Sequence, residues 1–373
     1  MSRQNGSATR HERATQHGQA PQATIATRIP QEPLAVQHGW DALIPPAPQG
    51  ILRAGRQPVP LRRLTTTVHR EYVHRTAQAE VFLTGHEKTG RNTYALTGQW
   101  PRAHTYFTTA DGLGHDHLQV CETFRQIGIY LAHTEHDVPL SHHFVMQDMT
   151  VVTHPEHLGI QDTPTNLIIN VTFIRASRGS HFSADFAIVS NDRVIATGRG
   201  RFTCISPAAY RRIRTSSHPT TPTLSDLRYS PTHQDPTAFG RTHSRDLVLA
   251  PTRQPHTWRL NADPRHPVLF DHDGDHIPGM VLIEAARQSA HPQLPRNTLL
   301  THSHTEWHRY VELAVPCYIT ATPRPTTRPD THTVHVTGHQ NNEVTFTARL
   351  TATARNERQA PAAGVPGWRR TVA

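Results

Sequence analysis

The sequence predicts an α+β protein built as two divergent copies of one unit, each a buried helix followed by a group of antiparallel strands. Three observations predict it. In residues 271–291, DHDGDHIPGMVLIEAARQSAH, apolar side chains cover most of the helical circumference while Glu284, Arg287 and Gln288 fall on one stripe, as in a helix wetted along a single line. Sliding residues 111–126 forward by 162 positions without gaps lands Asp111, Gly112, Glu122, Arg125 and Gln126 on Asp273, Gly274, Glu284, Arg287 and Gln288, and upstream His104 on His266. Strand-like runs gather after each helix instead of alternating with helices, which argues against a parallel βαβ sheet.

Residues 1–60 are rich in Gln, Ala, Pro, Thr and Arg without a sustained period and read as a disordered leader. The first repeat spans 61–206. Within it 79–85 (AEVFLTG) and 94–100 (YALTGQW) read as strands, and 104–114 as a loop leading into a helix over roughly 116–133. Strands follow at 143–153, 166–176, 181–189 and 193–205, the last two joined by a tight hairpin at Asn191-Asp192. Pro, Ser, Thr and Arg dominate 207–239, which reads as a partly extended linker. The second repeat, 240–355, begins near Gly240-Arg241 and carries strands at 246–250 and 256–261. Its helix opens at Pro278-Gly279, proline being tolerated in a first turn, with Asp275 or His276 available as cap. Strands are then expected at 303–308, 311–322, 331–338 and 343–354, and residues 356–373 as a flexible tail.

With 373 residues there is room for two domains, but a hydrophobic fraction of 35% and 30 prolines leave part of the chain outside any core. No run of eighteen apolar residues exists and the polar amino terminus has no signal-peptide core, so a cytoplasmic protein without a membrane partner is expected. The three cysteines, Cys121, Cys204 and Cys317, are odd in number and lack C-x-x-C spacing, so each reads as a small buried residue. Histidine counts 30, yet neither DHDGDH nor HSHTEWH has the His-Glu-x-x-His spacing, and no metal is expected. Gly-x-Gly-x-x-Gly, Walker and Gly-x-Ser-x-Gly motifs are absent, which argues against nucleotide cofactors and serine acyl-enzymes. The formal charge of +9 suits an acidic partner; its arginines are scattered and no nucleic-acid-binding signature accompanies them, so nucleic acid is not expected.

Pro278-Gly279, then Glu284-Ala285 and Gln288, resemble the PG…EA…Q helix of hotdog-fold 3-hydroxyacyl-carrier-protein dehydratases. More specifically, HPVLFDHDGDHIPGMVLIEAARQ, with CETFRQIGIYLAH in the first copy, resembles the A-factor biosynthesis (AfsA) family of gamma-butyrolactone autoregulator synthases, over roughly residues 68–355. The resemblance implies a double hotdog, each long central helix wrapped by a curved antiparallel sheet, with the sheets side by side and the helices together. It would be a pseudo-dimeric monomer or a homodimer. The resemblance also implies an acyltransferase that moves a β-ketoacyl group from acyl carrier protein to the hydroxyl of dihydroxyacetone phosphate. No cofactor is implied beyond the carrier's own phosphopantetheine.

Glu284 and Arg287, three apart, point to one side of the second helix, and Glu122 and Arg125 are the equivalent pair. A carboxylate on an apolar helix loses hydration, which raises its pKa toward that of a general base, while the guanidinium pulls the other way; a plain ion pair is the structural alternative. The resemblance implicates Glu122, Glu284 and Arg287 together as catalytic. The first copy has Asp116-His117 where the second has Pro-Gly, which favours the second as the main acyl site. There the N–H groups of Gly279 and Met280 are candidates for holding an oxyanion, unless Pro-Gly merely starts the helix. Arg287, then Arg125, are candidates for phosphate, and Gln288 and Gln126 join the substrate-binding set. The dehydratase histidine, fourteen residues before the helix glutamate, is replaced by Phe270 and Thr108, which speaks against dehydration. His266 and His104 read as loop-fixing residues. A hotdog thioesterase or dehydratase is one alternative, and a non-catalytic acyl- or lactone-binding protein another.

Overall fold

A computed structural model describes residues 66–176, 179–216 and 222–354; the expected leader and tail lie outside them. The first half comprises β1 (Leu83–Lys88), β2 (Thr93–Trp100), α1 (His117–Glu135), β3 (His143–Thr153), β4 (Thr165–Arg175), β5 (His181–Ser190) and β6 (Arg193–Ile205). A connecting helix, α2 (Pro207–Thr215), leads to β7 (Leu249–Pro251), β8 (Thr257–Leu260), α3 (Gly279–Ala290), β9 (Thr298–Trp307), β10 (Tyr318–Arg324), β11 (Thr331–Gln340) and β12 (Glu343–Ala354).

All twelve strands form one antiparallel sheet in the order β1-β2-β4-β5-β6-β3-β9-β12-β11-β10-β8-β7. Its second half repeats the first in reverse, so a pseudo-twofold axis passes between β3 and β9, where Thr150 faces His304. The helices α1 and α3 touch each other beside this seam. Both are sheathed: every residue from Met280 to Ala290 is buried, as is every residue of α1 from His117 to Phe124. Strand β4 shows why one face goes inward, since Leu167, Ile169, Val171 and Phe173 alternate with exposed or half-exposed neighbours. The sheet comes close to α1 at Gly200, where a Cβ would lie 2.7 Å from the Phe124 ring.

The hairpin at Asn191-Asp192 has φ of 49° and 59°, and its counterpart Asn341-Asn342 has 50° and 62°, the left-handed pair that asparagine and aspartate tolerate best. Elsewhere strand ends move. Strand β10 starts only at Tyr318, because Gln340 holds the carbonyls of Glu312 and Val315 in a loop through which Pro316 contributes no N–H. Residues 78–80 form a 3-10 turn, which delays β1 to Leu83. Among the described residues no helix is long and apolar enough to cross a membrane.

The connection is more structured than its composition suggests. Ser206 caps α2 by accepting from Ala209 N–H, and Pro207 sits in its first turn. The helix delivers Arg214, buried, onto Asp275 at 2.9 Å and Glu312 at 2.8 Å, while Tyr210 donates to Asp275 at 2.6 Å and stacks on His143 at 3.8 Å. One short helix thus ties β3 of the first repeat to the loop before α3 of the second. Replacing Arg214 by alanine leaves two half-dry carboxylates without their cation and is expected to cost about 3 kcal/mol. A lower urea midpoint at unchanged slope would report it.

Candidate active site

The polar stripe of α3 ends in a closed electrostatic clamp. Glu284 is fully buried, and its Oε1 accepts from Arg241 Nε at 2.7 Å, Arg287 Nη2 at 2.9 Å and Gln288 Nε2 at 2.5 Å. Its Oε2 accepts from Arg241 Nη2 and Arg287 Nε, both at 2.8 Å. Arg241 reaches on into the first repeat, donating to the Tyr106 carbonyl at 2.6 Å with its guanidinium 4.2 Å from that tyrosine's ring centre. Glu122 is held the same way by Arg75, Arg125 and Gln126, and Arg75 donates across to the Val268 carbonyl at 2.8 Å. Each clamp therefore joins the two repeats through an arginine from one and a carbonyl from the other.

These contacts set the protonation of the two glutamates expected as bases. Burial by itself would raise the pKa of Glu284, but the charges of Arg241 and Arg287 outweigh it and bring it down to about 2. Glu122 is likewise lowered to about 2, by Arg125 and Arg75 against the effect of burial. With five donors around each carboxylate, no lone pair is left for a substrate proton. In this arrangement each glutamate, Glu284 or Glu122, holds two guanidiniums in place.

Gln126 and Gln288 also face the chain instead of a ligand. Each amide nitrogen bonds its clamp glutamate and a backbone carbonyl, Glu80 or Asp246, and each amide oxygen accepts a backbone N–H, from Phe82 or Val248. The loop-fixing geometry of His104 and His266 is plain. Nδ1 accepts two consecutive N–H groups, from Tyr106 and Phe107 or from Val268 and Leu269, and Nε2 meets Glu80 or Asp246.

A cavity of about 370 Å³ opens where the end of α3 meets the start of α1. Arg287 and His291 line it from one side, Asp116 and His117 from the other, and Gly240, Leu158, Leu294 and Leu299 complete much of its wall. Arg287 uses Nε and Nη2 on Glu284, and Nη1 carries none of its bonds. His117 is wedged between Thr153 and Ser303, and burial lowers its pKa to about 4. Burial, then the charge of Arg287, lowers that of His291 to about 4.

Gly279 and Met280 do not line this cavity. They begin α3, and Arg287 lies eight residues on, about 12 Å along the axis at 1.5 Å per residue. No side chain caps that start, and Gly279 packs beside the Trp307 indole. The cavity therefore pairs Arg287 with the start of α1, which Asp116 caps through Leu118 N–H at 2.9 Å, and not with Gly279 and Met280. Arg125 belongs to the Glu122 clamp, away from the cavity. The three cysteines are buried, and among the described residues no cluster of His, Cys, Asp or Glu is placed to hold a metal.

Sequence reasoning missed Arg75, Arg241 and His291. A signal for the arginines exists at a second offset: sliding residues 73–83 (VHRTAQAEVFL) by 166 gives 239–249 (FGRTHSRDLVL), aligning Arg75-Thr76 with Arg241-Thr242 and Glu80 with Asp246. Strand β8 has four residues where β2 has eight, and that shortening hides the match from an ungapped slide of 162.

The family model of the A-factor biosynthesis hotdog domain (AfsA) matches residues 56–206 and 223–356. A 2-oxo-3-(phosphooxy)propyl 3-oxoalkanoate synthase of Streptomyces virginiae is 42% identical over 292 residues, covering 77% of this chain and 98% of that protein. The synthase of the same name from Streptomyces griseus is 35% identical, covering 75% and 93%. Among solved structures, the 12:0-ACP thioesterase from Umbellularia californica is similar at a TM-score of 0.44 and 8% identity, covering 70% of this chain and 94% of that one.

Proposed function

The chain belongs to the A-factor biosynthesis (AfsA) hotdog family, whose acyltransferases move a 3-oxoacyl group to dihydroxyacetone phosphate, and we propose that this chain performs that transfer in the cavity between α1 and α3. The acyl donor is the thioester of an acyl carrier protein. One observation carries the placement: Arg287 has two of its nitrogens locked on Glu284 and the third unbonded in a cavity wall. A guanidinium fixed in this way is preorganised for a phosphate oxygen. Asp116, 3.5 Å from Arg241, balances the charge of the clamp, so the recognition rests on the directed Nη1 edge of Arg287 and not on net charge. The start of α1 turns the positive end of its dipole toward the cavity, where an oxyanion develops as the thioester carbonyl is attacked. Leu158, Leu294 and Leu299 offer apolar wall to the alkyl chain.

The test incubates the full chain with 3-oxoacyl carrier protein, with and without dihydroxyacetone phosphate, and reads products by mass spectrometry. Phosphorylated ester formed only when dihydroxyacetone phosphate is present is the expected result. Free acid released equally in both would make the protein a thioesterase. In the same assay Arg287→Lys, which keeps the charge and loses the fork, is expected to raise KM for dihydroxyacetone phosphate roughly tenfold. An unchanged KM would place the phosphate elsewhere.

A further inference from the structure

Two nearly identical clamps differ at two neighbouring positions, and from these we infer that His291 is the general base of the acyl transfer, with Gly240 keeping its ring and Arg287 open to substrate. This rests on the acyltransferase reading above and assigns it a proton acceptor. The helices align without gaps, so the counterpart of His291 is Ile129, which cannot take a proton. The counterpart of Gly240, at the second offset, is His74. Both positions are left-handed, with φ of 67° and 50°, but only in the first repeat does a side chain occupy the space beyond the backbone. There His74 Nε2 lies 3.0 Å from His133 Nε2. At Gly240 the point where a Cβ would sit is 2.9 Å from Arg287 Nη1 and 3.0 Å from His291 Nδ1. The unbonded guanidinium edge and the imidazole thus converge over bare backbone, and all three line the cavity.

The chemistry balances on the ring alone. With phosphate on Arg287, a nitrogen of neutral His291 takes the hydroxyl proton of dihydroxyacetone phosphate as the oxygen attacks the thioester carbon. The tetrahedral adduct expels the pantetheine sulfur as the C–S bond breaks, and the imidazolium returns the proton to that sulfur. Ester and free carrier thiol leave, and His291 is neutral again. The charged and titratable groups lining this space are Arg287 from α3, Asp116 and His117 at the α1 start, and Asp111 and Arg296, with the charge of Glu284 acting on the ring from behind Arg287. Burial and the charge of Arg287 keep the ring neutral above a pKa of about 4. A bound phosphate offsets Arg287 and raises that value, which strengthens the base.

The experiment compares kcat against pH for the wild-type full chain, His291→Gln and His291→Ala in the ester assay. Expected are a fall of at least about a hundredfold in kcat for His291→Gln, KM for dihydroxyacetone phosphate within about threefold, and loss of the wild-type acid limb. Added imidazole should restore part of the activity of His291→Ala, which a variant that lost only structure would not allow. A His291→Gln enzyme with more than a third of wild-type kcat, or with the acid limb intact, or a His291→Ala enzyme deaf to imidazole, overturns the assignment while the acyltransferase reading stands. A wild-type chain that makes no ester overturns both.

Discussion

Replacing Glu284 by alanine is expected to abolish ester formation and to cost about 3–5 kcal/mol, the range for removing one partner of a buried ion pair. The loss is large because two guanidiniums share this carboxylate with no water to replace it: Arg241 is 3% exposed and Arg287 8%. Arg287, freed of its fork, no longer aims Nη1 into the cavity, so kcat and KM both suffer. The clamps also set the acid response. Glu284 and Glu122 have folded pKa values of about 2 against an ordinary 4.5, so each contributes stability that is fully present above pH 4.5 and lost as pH falls through about 2. Urea midpoints should therefore drop steeply between those values, and less steeply in Glu284→Ala. A midpoint independent of pH over that window would contradict the ionised clamp.

Gly240→Ala is the second large effect. A Cβ there costs about 1–2 kcal/mol through the left-handed backbone alone. It also lies 2.9 Å from Arg287 Nη1 and 3.0 Å from the His291 ring, closer than carbon contacts allow, so both must shift. The shift needed is a few tenths of an ångström, against a cost on the order of a hundredfold in rate for a full ångström at reacting groups. We expect kcat/KM to fall roughly tenfold while the melting temperature changes by only a few degrees. His74→Ala, at the matching position of the other repeat, should keep kcat/KM within about threefold. Equal losses in the two variants would show that both clamps, and not one, serve the reaction.

What the sequence reveals here is what is local. The α3 helix, the tight turn at Asn191-Asp192 and the strand over 166–176 are each written within a few neighbouring residues, and the structure has all three. The partners Glu284 and Arg287 were legible because they share one helical turn. The character of Glu284 was not, since a dehydrated carboxylate and one gripped by two arginines look alike until Arg241, 43 residues upstream, is brought alongside. The same holds for α2, whose polar composition conceals that Arg214 is folded against acids 61 and 98 residues away. His291 falls just past the helix that carries the repeat, where the pattern stops and only the cavity shows what the ring faces.

The most direct measurement is a crystal structure of the full chain soaked with dihydroxyacetone phosphate. The account predicts the phosphate against Arg287 Nη1 and the hydroxyl turned toward the His291 ring, with the Arg125 side of the molecule empty. Phosphate density at Arg125 and none at Arg287 would contradict it.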